Sequence, residues 1–120
     1  MLNTRMGAIE AQFADIVWEN APLTTRELVN LCEEKLNWKR TTTYTVLKKM
    51  CVRGLFNMES RKVTVCIPKD EFNAIQSEQL VDKAFGGHLP AFIAAFATRK
   101  DISAEELAEI REMIDNYGKQ

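Results

Sequence analysis

The side chains best suited to chemistry in this chain are the cations and hydroxyls between residues 38 and 69. This window holds eight basic residues and one acid, Glu59, a local charge of +7 in a chain whose formal net charge is −1. Lysine and arginine side chains suit phosphate groups, and hydroxyls and guanidinium groups suit base edges. The window therefore predicts a contact with double-stranded DNA. The side chains expected to make it are Arg40, Thr41, Thr42, Thr45, Lys48, Lys49, Arg61 and Lys62.

The basic helix and the basic hairpin can each also be explained without DNA binding. Lysines and arginines on a helix can be its solvated face, and charges at the tip of a hairpin can protect a sheet edge from aggregation. Charge is divided along the chain, with a net charge of +3 for residues 1–70 and −4 for residues 71–120. This asymmetry favours a front half that faces a polyanion.

The sequence offers little for other kinds of chemistry. There is no Ser/His/Asp arrangement, phosphate-binding loop or G-x-G-x-x-G motif, so we do not expect an enzyme. One histidine, His88, and three scattered cysteines predict neither a metal site nor a cofactor. Cys32, Cys51 and Cys66 lie in apolar surroundings, which indicates buried, unreactive thiols. Without an apolar run long enough for a membrane span or signal peptide, we expect a cytoplasmic protein.

Three helices are predicted ahead of the basic hairpin. The first ends near Asn20, because Pro22 disfavours helix at the residue before it. Thr24 and Glu27 form a capping box that begins the second. Thr41 or a neighbour is expected to cap the third, and Gly54 to end it. The apolar stripe of the first helix is predicted to be Ile9, Phe13, Ile16 and Val17.

Two short strands, over residues 55–59 and 63–67, follow the third helix and are joined by a turn at residues 60–62. Pro68 ends this hairpin. A fourth helix is expected to have Asp70 as its N-cap and to run to Phe85, followed by a fifth helix and a sixth capped by Ser103. The rear helices carry many apolar side chains within residues 70–120. These side chains can pack within their own subunit alone, but we expect them to form a dimer interface. The residues assigned to it are Phe85, Leu89, Phe92, Ile93, Phe96, Leu107, Ile110 and Ile114.

This order of elements predicts a mainly α fold with a small β-hairpin. Three helices of which the third is basic, followed by a hairpin "wing", is the winged helix-turn-helix arrangement. We therefore expect a winged helix-turn-helix DNA-binding domain over residues 1–69 and a C-terminal helical dimerisation domain over residues 70–120.

A resemblance to a known family covers most of the chain, from about residue 8 to residue 114. The matching pieces are Ile16-Val17-Trp18-Glu19, Pro22-Leu23-Thr24 leading into Arg26-Glu27-Leu28-Val29, Trp38, Thr42-Thr43-Tyr44-Thr45-Val46-Leu47-Lys48-Lys49-Met50, Arg53-Gly54-Leu55, Phe85-Gly86-Gly87 and Leu107 with Ile110-Arg111. In this order and spacing they resemble the penicillinase-repressor family of winged-helix transcriptional regulators, which includes copper-responsive relatives.

The resemblance implies a homodimeric repressor on a palindromic DNA operator, linked to β-lactam or other antibiotic-resistance control. Thr42 and Thr45 match the threonines of the family's recognition helix. In the β-lactam-responsive members a regulatory protease cuts an Asn-Phe bond. The corresponding pair here is Ala95-Phe96, which keeps the phenylalanine and lacks the asparagine. The C-terminal C-x-C pairs of the copper-responsive members are absent from this sequence.

Two other classes of function remain open at this stage. A winged helix can serve as a protein-interaction adaptor whose basic face binds an acidic partner. The phenylalanines of the rear helices can also line a small-molecule pocket in a ligand-sensing regulator. Indifference to duplex DNA at moderate salt distinguishes the first alternative, and a thermal shift with aromatic or β-lactam compounds distinguishes the second.

Overall fold

The first helix, α1 (Ala8–Asn20), packs one apolar face into the core of the front half. In the computed structural model, which describes residues 2–119, Phe13, Ile16 and Val17 of the predicted stripe are buried. Ile9 was expected to join them, and that prediction is wrong: its side chain is 56% exposed. Ile9 lies in the first turn of α1, and the buried residues of this helix are Phe13, Ala14, Ile16 and Val17.

The second helix, α2 (Thr25–Leu36), begins at the predicted capping box. The Thr24 hydroxyl accepts a hydrogen bond from the Glu27 amide at 3.1 Å, and the Glu27 carboxylate accepts one from the Thr24 amide at 3.3 Å. This reciprocal arrangement satisfies amides that have no partner inside the helix. A two-residue strand, β1 (Leu23–Thr24), precedes α2 and was not predicted.

The third helix, α3 (Arg40–Val52), starts earlier than expected. Lys39 occupies the N-cap position, so the prediction that Thr41 or a neighbour caps this helix is wrong. Gly54 ends it as predicted, with a φ of +88°. The Leu55 amide donates to the Met50 carbonyl and the Gly54 amide to the Cys51 carbonyl, which is the Schellman pattern of a left-handed C-terminus.

The predicted hairpin consists of β2 (Phe56–Glu59) and β3 (Lys62–Val65). These strands pair antiparallel, with Phe56 opposite Val65 and Glu59 opposite Lys62. The other edge of β3 pairs with β1, so the sheet has three strands in the order β1-β3-β2. The front half is thus three helices and a small antiparallel sheet, a winged-helix fold.

The core of the front half is continuous through all of these elements. Trp38 stacks on Phe13, with ring centroids 5.6 Å apart and planes 15° apart. Trp18 closes the edge of the core against Phe56 and Phe72, and its indole N–H donates to the Ile67 carbonyl at 3.0 Å. The buried apolar residues are Phe13, Ala14, Ile16, Val17, Leu23, Leu28, Cys32, Leu47, Met50, Leu55, Phe56, Val63 and Phe72.

The rear of the chain contains α4 (Lys69–Phe85), α5 (Leu89–Ala97) and α6 (Ala104–Tyr117). Asp70 lies inside the first turn of α4 and is therefore not the N-cap that the sequence predicted. Two compact units divide the chain, Met1–Ser77 and Glu78–Gln120, so that α4 begins in the first and ends in the second. The Gly86–Gly87 pair ends α4 with φ values of +58° and +80°.

Candidate nucleic-acid interface

The outer face of α3 is exposed while its inner face is buried. Thr43, Leu47 and Met50 fill the inner side, and side chains three and four positions apart share the outer side. The Thr45 hydroxyl donates to the Thr41 carbonyl at 2.9 Å, and its oxygen can still accept a bond from outside. Exposed side chains at this surface, all of them assigned to DNA by the sequence, are Arg40, Thr41, Thr42, Thr45, Lys48 and Lys49.

One of these cations is already paired within the protein. The Lys49 ammonium lies 2.7 Å from the Glu10 carboxylate, and the Arg53 guanidinium lies 4.0 Å from the same carboxylate. The hydrogen bond with Lys49, helped by the Gly7 amide, lowers the pKa of Glu10 below its ordinary value. Lys49 is thereby tied to α1, unlike Lys48, and is a weaker candidate for a phosphate contact.

The tip of the wing is tighter than the sequence suggested. Ser60 and Arg61 make a two-residue turn with φ values of +51° and +63°, while Lys62 already belongs to β3. Positive φ at both central residues is the signature of the type I′ hairpin turn. Such turns usually carry Asn-Gly, so the Ser60-Arg61 pair did not predict a two-residue turn of this type. The exposed tip therefore presents the Arg61 side chain, with Lys62 at the first strand position behind it.

The wing is fastened to the start of α2. The Thr25 amide donates to the Arg61 carbonyl at 2.9 Å, and Thr24 stands opposite Lys62 in the pairing of β1 with β3. These bonds use one of the helix-start amides that would otherwise lack a partner. Arg61 is therefore held beside α2 rather than projecting on a free loop.

A cleft of about 480 Å³ opens where α2, α3 and the wing meet. Three arginines line it, Arg26 from α2, Arg40 from α3 and Arg61 from the wing. The described residues that line the cleft include no carboxylate, so its charge is strongly positive. Its full lining is Thr25, Arg26, Val29, Asn30, Arg40, Tyr44 and Arg61.

The Tyr44 side chain lies beside the positive charges of this cleft, and its pKa responds to them. The Arg40 guanidinium carbon lies 5.6 Å from the centroid of the Tyr44 ring. A hydrogen bond with the Thr25 side chain, followed by the hydrogen bond and charge of Arg40 and the charge of Arg61, lowers the pKa of the Tyr44 hydroxyl. Sequence reasoning assigned Arg40 and Arg61 to DNA but missed Arg26 and Tyr44. The only signal for Arg26 was its position immediately after a capping box.

The rear unit carries an apolar surface. Phe92 contacts both Phe85 and Phe96, with ring centroids 5.7 Å and 6.3 Å away. An open groove of about 200 Å³ runs between α5 and α6. Every residue of these two helices is at least partly exposed in the single chain. All eight residues assigned to a dimer interface retain exposed surface: Phe85, Leu89, Phe92, Ile93, Phe96, Leu107, Ile110 and Ile114.

The Ala95–Phe96 pair lies within α5, and both side chains are exposed. The Ala95 carbonyl accepts a hydrogen bond of 2.7 Å from the Thr98 hydroxyl near the end of the helix. His88 caps the start of α5, where its Nδ1 accepts from the Ala91 amide at 3.3 Å. Ser103 caps α6 in the same manner, accepting from the Glu106 amide.

The three cysteines differ in exposure. Cys32 is buried as predicted and Cys51 is half-buried, and burial raises the pKa of both thiols, which lowers their reactivity. Cys66 is exposed, and the prediction that it is buried is wrong. It lies just past β3, on the outward side of the alternation that turns Val63 inward.

Among residues 2–119, no group of three or more His, Cys, Asp or Glu side chains is placed to hold a metal ion. Within the same residues, no helix is both long enough and apolar enough to cross a membrane.

Comparison with known proteins identifies the family. The family model described as "penicillinase repressor" matches residues 6–116, nearly the whole chain. No curated protein matches the chain. The family is one of DNA-binding regulators rather than enzymes, which agrees with the exposed basic helix and wing. The chain therefore belongs to the penicillinase repressor family and is a DNA-binding transcriptional repressor.

Proposed function

We propose that the protein acts as a homodimer on a palindromic operator, with α3 in the major groove and the wing on the flanking backbone. The observation that carries this proposal is the cleft shared by Arg40 and Arg61. It brings the start of the basic helix and the tip of the wing side by side. A duplex that receives α3 in its major groove then meets the wing with no rearrangement of either element.

The contacts divide into two kinds under this proposal. Arg40 can fork onto a guanine or a phosphate, and Thr42 and Thr45 contact base edges or phosphates from the exposed face of α3. Arg61 and Lys62 touch the neighbouring backbone. Phosphate contacts release counterions, so affinity falls with salt at a log–log slope of about −0.9 per phosphate neutralised.

The rear helices supply the dimer. Phe96 is 49% exposed and Ile114 is 63% exposed in one chain, and apolar surface on this scale favours association. Two copies joined through α5 and α6 would read two half-sites about one helical turn apart. We accordingly assign DNA binding to residues 1–69 and dimerisation to residues 70–120.

Repression is steric in this proposal, because a dimer that covers a promoter blocks the polymerase. Its setting is the cytoplasm, where chromosomal DNA is its partner. Family membership supports a link to β-lactam or other antibiotic-resistance control. The pair at the family's cleavage position is Ala95–Phe96, which lacks the asparagine, so cleavage there is not part of the proposal. The bond also lies inside α5, where cleavage would require local opening of the helix.

Footprinting on the region upstream of the protein's own gene tests the proposal. The expected result is protection of two symmetric half-sites whose centres are about 10 base pairs, or a multiple of that, apart. Protection of a single half-site would remove the dimer from the proposal. Absence of protection anywhere on that upstream region would favour the adaptor function instead.

A further inference from the structure

We propose that the cleft between α2, α3 and the wing is a socket for a single backbone phosphate of the bound duplex, gripped by Arg26, Arg40 and Arg61. This inference rests on the proposed function and adds two residues to its interface, Arg26 and Tyr44. The socket would set the register of the protein on the duplex without reading a base.

Charge is the first support for an anion here. Each of the three arginines comes from a different element, and the described lining contains no acid. In residues 2–119 the ion pairs are made by Lys49, Arg53 and Lys69, not by the arginines of the cleft. Like charges gathered without a counter-charge repel one another, and an incoming phosphate relieves that repulsion.

Rigidity is the second support. The Thr25 amide holds the Arg61 carbonyl at 2.9 Å, so the wing cannot swing away from α2 without breaking a backbone hydrogen bond. Glu27 is the nearest acid along α2, and its carboxylate is engaged with the amide and hydroxyl of Thr24. The backbone that carries Arg61 is therefore fixed beside α2 before any ligand arrives, which reduces the entropy lost on binding.

The third support is the set of donors. A guanidinium group presents two parallel N–H bonds that match two phosphate oxygens, which an ammonium group cannot do. The Tyr44 hydroxyl lines the cleft and can donate a hydrogen bond. The Asn30 side chain lines the same cleft and adds an amide donor. This combination suits the two non-bridging oxygens of a phosphodiester.

A phosphate fits this cleft better than a base edge does. Arg26 belongs to α2, outside the helix proposed for the major groove, and the three cations come from three different elements. Bases present donors and acceptors in a plane, whereas a phosphate takes donors from several directions at once. One phosphate held here would join α3 and the wing to the same point of the DNA backbone.

The test removes charge from both partners. Operator duplexes are made with a neutral methylphosphonate at one backbone position at a time, and each is titrated with wild-type protein and with Arg26→Ala. For wild type, one position in each half-site should cost about tenfold in affinity. For Arg26→Ala, the methylphosphonate at that position should lower the affinity only slightly further, because the arginine that binds the phosphate is already absent. Its salt slope should also be about one unit shallower.

A matched control uses Lys35→Ala, an exposed cation in the last turn of α2 and outside the cleft. For Lys35→Ala, each methylphosphonate should lower the affinity by the same factor as it does for the wild type, so that the two losses add. Purely additive losses for Arg26→Ala as well, with tight wild-type binding, would overturn the socket while leaving the proposed function intact. Failure of the wild type to bind the unmodified operator would overturn both. Thermal melting of each variant checks that its fold is unchanged.

Discussion

The Thr25 amide and the Arg61 carbonyl are joined by a 2.9 Å hydrogen bond, which fastens the tip of the wing to the first residue of α2. This bond connects two elements that are 36 residues apart in the sequence. Its consequence is that Arg61 of the wing lines the same cleft as Arg26 and Arg40. Local structure at the start of α2 therefore governs the geometry of the proposed interface.

Removing the N-cap of α2 should destabilise the protein. Thr24→Ala deletes the hydroxyl that accepts from the Glu27 amide, a loss of about 1 kcal/mol in the free energy of unfolding. Urea unfolding measures the change. Ser77→Ala is the matched control, since that hydroxyl only donates back to the Asn73 carbonyl of its own helix. Equal stability of the two variants would contradict the capping role.

A side chain at the end of α3 should strain the backbone. Gly54 has a φ of +88° and an added Cβ would meet no atom within 4 Å, so Gly54→Ala has room but the wrong conformation. We expect a loss of about 1–2 kcal/mol in unfolding free energy, partly recovered by Gly54→Asn.

Gly118→Ala provides the comparison for that substitution. Gly118 already has a right-handed φ of −68°, and an added Cβ would make only ordinary contacts at 3.8 Å. Its stability should match that of the wild type. If Gly54→Ala were equally benign, the left-handed turn would not be required to end α3.

The ion pair between Glu10 and Lys49 should make stability depend on pH. Because the pKa of Glu10 is lowered in the folded state, its contribution is fully present above the unfolded-state pKa. It is lost as pH falls through the folded-state pKa. Glu10→Gln should therefore be less stable than wild type at neutral pH, with the gap closing as the solution is acidified. Urea midpoints measured from pH 7 to pH 3 test this.

Glu34→Gln, an exposed change on α2, serves as the control for that series. Its difference from wild type should stay small throughout. A gap for Glu10→Gln that keeps the same size from neutral to acid pH would show that the carboxylate charge is not what stabilises this corner.

Charge placed on the rear apolar surface should dissociate the dimer. Phe96→Glu puts a carboxylate into a face that the proposal buries between subunits, and an unpaired buried charge is strongly unfavourable. Sedimentation should give a dimer for wild type and a monomer for Phe96→Glu. Met58→Glu is the control, because Met58 is similarly exposed, at 43%, but lies on β2. A wild-type monomer, or an undisturbed Phe96→Glu dimer, would remove this interface.

Signals confined to a few neighbouring residues were sufficient for much of the fold. The capping box at Thr24, the glycine end at Gly54 and the apolar periods of the helices each depend on contacts within a turn or two. They predicted the order of elements and the exposed face of α3. Cys66 and Ile9, which were predicted to be buried, show the limit of this approach. A repeating apolar pattern indicates which face of a helix or strand is turned inward, but not how far along that face the core extends.

The features that were missed depend on distant partners. β1 is only two residues long, too short to show an alternation, and it exists because β3 lies about 40 residues further along the chain. The same pairing places Arg61 beside α2, so no local pattern indicated that Arg26 and Tyr44 line a cleft with Arg61. The pairing of Lys49 with Glu10 likewise required the packing of α3 on α1.

The central claim is sequence-specific binding of DNA by α3, and an operator titration tests it most directly. Wild-type protein is titrated into a labelled duplex of the footprinted site and into a scrambled duplex, at near-physiological salt. We predict tight, steeply salt-dependent binding to the first alone. Arg40→Ala and Thr42→Ala should each weaken it by roughly 1–3 kcal/mol where the side chain reads a base, with Lys35→Ala unchanged. Equal affinity for both duplexes, or no effect of either α3 substitution, would contradict the account.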